Sequence, residues 1–457
     1  MASNKEILEA QRYNRRRLVT AFSSGTPGGK ELESRSLFAP LLVGIVISVV
    51  MLAIAAVMGR FSPVLPNGWE NSTLIVVKGT GARYFTIDGV LRPVTNITSA
   101  RLLSDAGSYK TSEVSASLLE GIERGSLVGL TDVPDDVPAA QALNSDQWLS
   151  CAIHDIAHTW VAAVPDNVQP HDAAIVSNEG ATFLISGGFR YEIPTQHRNG
   201  VLFALGLETL TPTPVTGQWL SLFEQGPALV PFEIHNVGAS VSGMPASLAT
   251  AVVGTVIEVK ESSSIRRYIV TGNGRIAPLS DVAERLFRIS EAGMHLGSPL
   301  SVAVADLTDV TVDTIGPVPP QWPVSISAPI TSDSLPCAQL VATVEGLPVT
   351  RLVSLTQAHA EKELGVDLST PRVLRASTIR GGSGALVRAT SGGSFGAVML
   401  VSDAGTIHGL GADPDNTLMR LGYTSDDVAT IPSAWTNLLP QGTPLDPEAV
   451  WNTVREQ

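Results

Sequence analysis

LFAPLLVGIVISVVMLAIAAVMG, residues 37–59, runs for 23 residues without a charge. At ~1.5 Å of rise per residue, a helix of this length covers ~34 Å and crosses a ~30 Å hydrocarbon core with some tilt. Arg35 precedes the stretch and Arg60 follows it. A secretory signal has a shorter apolar segment nearer the N-terminus and a small-residue cleavage site. Here 36 largely polar residues come first. The stretch predicts one transmembrane helix, and the rest of the chain divides about it.

On its N-terminal side Lys5, Arg12, Arg15, Arg16, Arg17, Lys30 and Arg35 stand against Glu6, Glu9, Glu31 and Glu33, whereas the whole chain carries a net −13. Basic residues collect at the cytoplasmic end of a membrane helix. The expected topology is therefore a single-pass cell-membrane protein with a cytoplasmic N-terminus and an acidic extracytoplasmic domain. Residues 4–22, NKEILEAQRYNRRRLVTAF, lack Gly and Pro, and Ile7, Leu8, Leu18, Val19 and Phe22 recur near helical spacing. An amphipathic helix is expected there. Its Arg15, Arg16 and Arg17 either meet anionic lipid headgroups or serve topology as a solvated cationic face. In the link that follows, residues 25–30 (GTPGGK) have the outline of a phosphate loop. They lack its spacing, the Ser or Thr after the lysine, and a preceding strand.

The chain of 457 residues is 44% hydrophobic with 41 Gly and 30 Pro, which suits several packed modules. An acidic exterior argues against nucleic acid as a partner, because that binding rests on basic patches. The two cysteines, Cys151 and Cys337, both fall outside the membrane. In an oxidising compartment an even pair is a disulfide candidate; the alternative is two separate buried thiols.

Beyond the membrane helix the sequence repeats. RYFTIDGVLRPV (83–94), ATFLISGGFRYE (181–192) and RRYIVTGNGRIA (266–277) align without gaps. They share an aromatic (Phe85, Phe183, Tyr268), a glycine (Gly89, Gly187, Gly272), an arginine three later (Arg92, Arg190, Arg275) and a nearby proline (Pro93, Pro194, Pro278). Alternating apolar residues closed by glycine read as a strand entering a turn, and a short helical stretch follows each. The arginines are read either as a repeated ligand contact or, more simply, as structural groups bonding turn carbonyls within each unit. A second frame recurs four times: LLEGIERGSLV (118–128), WLSLFEQGPALV (219–230), SEAGMHLGSPLSV (290–302) and WTNLLPQGTPLDP (435–447). It aligns Gly125, Gly226, Gly297 and Gly442, with Leu118, Trp219, Ser290 and Trp435 seven earlier and Val128, Leu229, Leu300 and Leu445 three later. Each reads as a short helix stopped by glycine. The fourth first half, in 397–423, keeps the strand and helix but lacks the aromatic.

The expected fold is α+β and β-rich: one N-terminal transmembrane helix plus an elongated extracytoplasmic domain, with a discontinuous β-rich core and four α/β repeat modules. The expected divisions are a cytoplasmic helix and linker (1–36), the membrane helix (37–59), a linker (60–72), repeat 1 (73–130), core segment 1 (131–170), repeat 2 (171–232), repeat 3 (233–303), core segment 2 (304–395), repeat 4 (396–450) and a tail (451–457). Each core segment carries one cysteine. Repeats 2 and 3 are contiguous, which suggests that they pair at one end of the core while repeats 1 and 4 pair at the other.

A search for chemistry finds little. His154, Asp155 and Ser383 occur in the order of a serine-protease triad, but the glycine-rich nucleophile context is absent. His154 and His158 lie four apart without the glutamate of the zinc-hydrolase motif, and a core role explains them better. Asp132, Asp135, Asp136, Asp413 and Asp415 read as solvated loop acids. No catalytic, cofactor-binding or metal residue is assigned, and no cofactor is expected.

KEILEAQRYNRRRLVTAF, the single membrane helix, the G-x-x-R units, the cysteine pair and the closing IPSAWTNLLPQGTPLDP together resemble the EccB family, a membrane core component of the actinobacterial type VII (ESX-type) secretion apparatus. The resemblance covers essentially the whole chain. It implies four repeats around a core, similar to a phage-lysin cell-wall-binding subunit, and a disulfide carried onto Cys151 and Cys337. It also implies assembly with other secretion-system membrane subunits including a membrane ATPase. Beside these, the expected partners are further copies of the chain, membrane lipids and cell-wall glycan, with no nucleic acid. The function implied is a structural, non-catalytic subunit that stabilises the export channel; the alternatives are an envelope-facing ATP hydrolase, with ATP bound, or a cell-wall-binding module.

Overall fold

The computed structural model describes residues 4–24, 38–60, 64–260, 264–343, 346–369 and 376–452. The GTPGGK stretch at 25–30, Arg35, Leu37 and most of the 451–457 tail lie outside the described residues. The chain forms two compact units, Met1–Leu65 and Pro66–Gln457.

The first unit contains helices Asn4–Ser24 and Phe38–Arg60. Within the second helix, Phe38–Ala55 is long and apolar enough to cross a membrane, and none of it is buried against protein.

Among its described residues the second unit holds five sheets, four of which repeat one topology. Three antiparallel strands form a meander and a helix crosses back. A fourth strand then joins the first in parallel, and after one short helical turn a fifth segment joins the third in parallel. In repeat 2 the meander is Ala174–Asn178, Ala181–Ser186 and Phe189–Ile193, and the helix is Arg198–Leu205. The added strands are Thr213–Pro214 and Glu224–Gln225. Repeat 1 builds the same pattern from Thr73–Val77, Arg83–Ile87, Val90–Pro93 and Lys110–Val114, with helix Ile97–Leu103. The helices start where their sequences supply caps: Asn96 and Ser280 each accept a backbone N–H from three residues ahead. The helices of repeats 2 and 4 stop at the left-handed Gly206 and Gly422.

Repeats 3 and 4 differ in extent from the sequence-based divisions. Repeat 3 does not end at 303. Strands Leu300–Val302 and Thr311–Val312 complete its sheet, so 304–312 belongs to the repeat rather than to the core. Repeat 4 does not start at 396. Ala385–Ser391 is its first strand, joined to Ser394–Val401 through Gly392 and Gly393, both at positive φ. A short apolar run reads as a buried strand whichever sheet it joins, and only pairing assigns it. With this strand counted, repeat 4 has the full topology: third strand Ile407–Gly409, helix Pro414–Leu421 and parallel strand Ala429–Pro432.

The fifth sheet interlaces two distant segments. Its order is Ser377–Ile379, Ile156–Val161, Trp148–Ile153, Ser334–Thr343, Gly346–Thr356, Gln169–Pro170. Each half is thus edged by a strand from the other segment. One face carries Leu149, Cys151, Ile153, Cys337, Val353 and Leu355 beneath helix Gln357–Leu364. The other face carries Trp148, Ala152, Val161, Ala338, Leu340 and Leu352, and residues of repeats 2 and 4 pack there together. Repeat 3 joins repeat 2 through a shared apolar cluster containing Val201, Leu205, Leu286 and Phe287. Repeat 1 joins repeat 4 through one containing Leu102, Leu130, Leu418 and Leu421. Repeats 2 and 4 are therefore inner modules, repeats 1 and 3 outer ones, and both pairs meet the central sheet on one face.

Candidate functional site

The features singled out in the sequence converge on the central sheet and on the closing strand of each repeat. Cys151 and Cys337 sit directly opposite each other in the antiparallel pair at the seam between the two core segments, and they are disulfide-bonded. Both are fully buried. The bond therefore ties together the two strands through which the halves of the chain meet.

Trp219 and Trp435 anchor the inner repeats to this sheet. Both are fully buried. The Trp219 indole N–H donates to the Ser150 carbonyl at 3.0 Å, and that of Trp435 donates to Thr350 Oγ1 at 3.1 Å. Trp435 also meets the edge of Trp148, with ring centroids 6.2 Å apart. Each occupies the third position of its repeat's short helix, Gly217–Leu220 or Ser433–Thr436. In the outer repeats that position is Leu118 in Ala116–Leu119 and Asp306 in Val304–Leu307. The tryptophan marks the modules that touch the core.

Strand register corrects two equivalences drawn from the sequence. The residues closing the hairpin between second and third strands are Ile87 and Val90, Ser186 and Phe189, and Gly272 and Arg275. Arg92, Arg190 and Arg275 therefore stand two, one and zero places past the turn. A one-residue slip turns a side chain to the other face of the sheet, so the three arginines are not equivalent. Arg190 donates to the carbonyls of Leu220 and Phe223 at 2.8 and 3.1 Å, and burial lowers its pKa. Arg92 reaches Ser126 Oγ at 3.3 Å and lies over the Trp451 ring. Arg275 pairs with Asp313. Of the expected carbonyl contacts, only that of Arg190 is present. Gly89 and Gly187 lie in their turns at positive φ, whereas Gly272 lies within a strand and Gly274 makes the turn.

The second equivalence concerns the closing glycine. Gly125, Gly226 and Gly442 donate their N–H groups to the carbonyls of Leu91, Arg190 and Ile407, and in repeat 3 the matching bond runs from Asp313 to Ile276. The counterpart of the other three glycines is Asp313, not Gly297. Each glycine lies against a third-strand side chain. A Cβ on Gly226 would come within 2.4 Å of the Tyr191 ring, one on Gly442 within 2.3 Å of His408, and one on Gly125 within 2.9 Å of Arg92. In repeat 3 the third-strand position is the small Ala277, and no glycine is required opposite it. Sequence reasoning missed this set, Arg92, Tyr191, Ala277 and His408, because its only signal is a size match across a register not yet known.

The electrostatics of these groups follow from burial. Tyr191 is pushed up to about 12 by burial, and its hydroxyl donates to the Gln321 carbonyl. Burial lowers the pKa of His408, whose ring is held by the Thr443 carbonyl at 2.9 Å and Thr406 Oγ1 at 2.8 Å. For Asp172, burial works against ionisation, but three hydrogen bonds, from the Ser327 hydroxyl and the N–H groups of Ser327 and Ala328, hold its carboxyl below the usual range.

The protease-like residues have other partners. The His154 ring contacts the Leu368 carbonyl at 2.7 Å. His158, fully buried, contacts Thr378 Oγ1 and stacks on the edge of Trp160. Among the described residues, no group of three or more His, Cys, Asp or Glu side chains could hold a metal ion. Asp135 and Asp136 pair with Arg83 and Arg101. A groove of about 520 Å³ on repeat 3 is lined by Arg267, Tyr268, Asp281 and Trp322. Its Arg267 is already engaged by Glu258, Asp281 and Glu284. Asp413 caps the helix of repeat 4, so that N-terminus already carries an anion.

A family model described as type VII secretion system ESX-1, transport TM domain B, matches residues 1–454. The chain is 28% identical over 279 residues to the ESX-1 secretion system ATPase EccB1 of Mycobacterium tuberculosis, covering 57% of this chain and 56% of that protein. It is 30% identical over 312 residues to EccB1 of Mycolicibacterium smegmatis, covering 62% of each. The matched region thus spans little more than half the length of these curated relatives. Among solved structures, the chain resembles one in an intact ESX-5 inner membrane complex, with a TM-score of 0.65, 21% identity, and coverage of 100% of this chain and 96% of that one. It also resembles EccB3 in the dimer from the ESX-3 core complex, with a TM-score of 0.65, 20% identity, and coverage of 83% and 99%. These two likenesses establish the fold.

Proposed function

Given that this chain belongs to the EccB family of type VII secretion systems, we propose that it is a membrane-anchored structural subunit of such a system. Its helix Phe38–Arg60 spans the membrane with the basic N-terminal segment inside. The unit Pro66–Gln457 lies outside, where it contributes to assembly and stabilisation of the export channel. It does so in a homo-oligomer and together with other membrane subunits, an ATPase among them. The observation that carries this reading is where the recurrent residues go. The tryptophans are consumed in joining the inner modules to the core, and the closing glycines and third-strand side chains in closing each module's own sheet, as in a rigid scaffold.

The names of the relatives favour a second reading, ATP hydrolysis. Phosphoryl transfer needs a backbone cradle for phosphate and a carboxylate-held metal. In the repeat 3 groove Arg267 is already engaged by three carboxylates, and in helices Ile97–Leu103 and Asp281–Arg288 the side-chain cap already takes one N-terminal N–H, that of Ser99 or Ala283. We place the energy source in a partner subunit.

The test is affinity purification from native membranes in mild detergent, sized on a native gel with the co-purifying proteins identified. A species far above the 48.0 kDa chain mass that contains a membrane ATPase supports the scaffold reading. ATP hydrolysis by the lone chain that survives a second purification tag overturns it.

A further inference from the structure

A helix that carries an apolar stripe and finds no cover in its own chain must bury that stripe on something else. Helix Asn4–Ser24 is such a helix among the described residues. Ile7, Leu8, Leu18, Val19 and Phe22 are between 50% and 90% exposed. At about 100° per residue, Ile7, Leu18 and Phe22 fall in one row with Leu8 and Val19 beside them. Lys5, Arg12 and Arg16 border the stripe, and Glu6, Glu9, Tyr13 and Arg17 lie on the far side. Arg15 stands within the stripe.

We propose that this helix lies in the plane of an anionic bilayer surface, its apolar row in the acyl boundary and the guanidinium groups of Arg12, Arg15 and Arg16 at the lipid phosphates. Three observations select lipid as the occupant. The helix carries five basic residues against two acidic ones, in a chain whose net charge is −13. Only 13 residues of sequence separate it from the membrane-crossing helix, a reach of at most about 45–50 Å fully extended, so it never leaves the neighbourhood of the bilayer. The position of Arg15 suits a membrane interface and little else. Its aliphatic stem extends the apolar stripe while its head reaches up to the phosphates, whereas a dry protein groove would have to bury that charge. The inference rests on reading Phe38–Arg60 as a membrane span.

The experiment uses the full chain in lipid nanodiscs, spin-labelled at a cysteine introduced by Phe22→Cys or, as the opposite face, Tyr13→Cys. The native cysteines are bonded to each other and take no label. Accessibility to oxygen and to a water-soluble nickel chelate gives the depth of each label. In discs containing phosphatidylglycerol, the label at 22 lies in the acyl region and that at 13 in water. Replacing Arg15, Arg16 and Arg17 by Gln lowers the bound-to-free ratio about twenty-five-fold, Arg15 and Arg16 near the surface contributing about fivefold each and Arg17 on the far face little. Discs of phosphatidylcholine alone have a similar effect. A water-exposed label at 22 in anionic discs overturns the proposal and assigns the stripe to a protein partner. So does an unchanged depth in the triple variant. Failure of the membrane-span reading shows separately, as chain released from membranes by alkaline carbonate.

Discussion

Alanine at the closing glycines distinguishes the register-based frame of the repeats from the frame read in sequence. At Gly226 the new Cβ would lie 2.4 Å from Cε1 and 2.6 Å from Cδ1 of Tyr191. Ordinary carbon–carbon contact is about 3.5–4 Å, so the overlap exceeds about 1 Å. The ring cannot swing aside, because Tyr191 is 1% exposed and its hydroxyl is held by the Gln321 carbonyl. Overpacking of a closed core costs about 1–3 kcal/mol, and a rigid aromatic neighbour puts Gly226→Ala at the upper end. Gly442→Ala meets His408 at 2.3 Å, with that ring bonded at both nitrogens, and belongs in the same class. Gly125→Ala meets Nη1, Cγ and Cζ of the partly exposed Arg92 at 2.9–3.1 Å, a milder overlap against a flexible side chain, and costs about 1 kcal/mol. Gly297→Ala meets no heavy atom within 4 Å and is neutral or slightly stabilising through the unfolded chain. Urea unfolding followed by tryptophan fluorescence reads the series, since Trp148, Trp219 and Trp435 are fully buried. A Gly297→Ala loss equal to that of Gly226→Ala would refute the register-based frame. So would a Gly226→Ala variant as stable as the parent.

Three further outcomes are expected. Trp435→Ala and Trp219→Ala each cost about 3–5 kcal/mol and loosen an inner repeat from the central sheet, whereas Leu118→Ala at the matching outer position costs under about 1.5 kcal/mol; equal losses by thermal denaturation would contradict the inner–outer distinction. The oxidised chain takes up no maleimide even when unfolded and takes up two equivalents after reduction. With its cysteines 186 positions apart, the bridge contributes up to about 5 kcal/mol by the loop-entropy model, so Cys151→Ser lowers the urea midpoint. The pH dependence of stability carries a His408 component. Its folded pKa lies below the ordinary 6.5, so below that pH the unfolded state binds the extra proton. The contribution is fully present above about pH 6.5 and is lost as pH falls towards the folded pKa, with a slope of up to about 1.4 kcal/mol per pH unit. His408→Asn removes that slope in urea titrations between pH 7 and 5, and an unchanged profile would count against a neutral buried ring.

The sequence alone determined those features that depend on near neighbours. A 23-residue uncharged run has one stable environment whatever follows it. Alternation closed by glycine forms a hairpin locally, so strands at 83–94, 181–192 and 266–277 were legible, as was the helix after each. The cysteine pair was legible as a candidate because only two exist. Tertiary structure decided whatever depends on which strand lies beside which. The run 385–391 is equally apolar as a core strand or as the first strand of repeat 4, and pairing with 394–401 settles it. Arg92, Arg190 and Arg275 align in a gapless comparison, yet turns at 88–89, 187–188 and 273–274 slide the register by one residue per repeat, and a period of two turns each slip into a change of face. Gly297 shares the spacing of the other closing glycines by coincidence, while Asp313 shares their hydrogen bond. Spacing along the chain is a local property; the face a side chain occupies, and the neighbour that must leave it room, exist only once the sheet has formed.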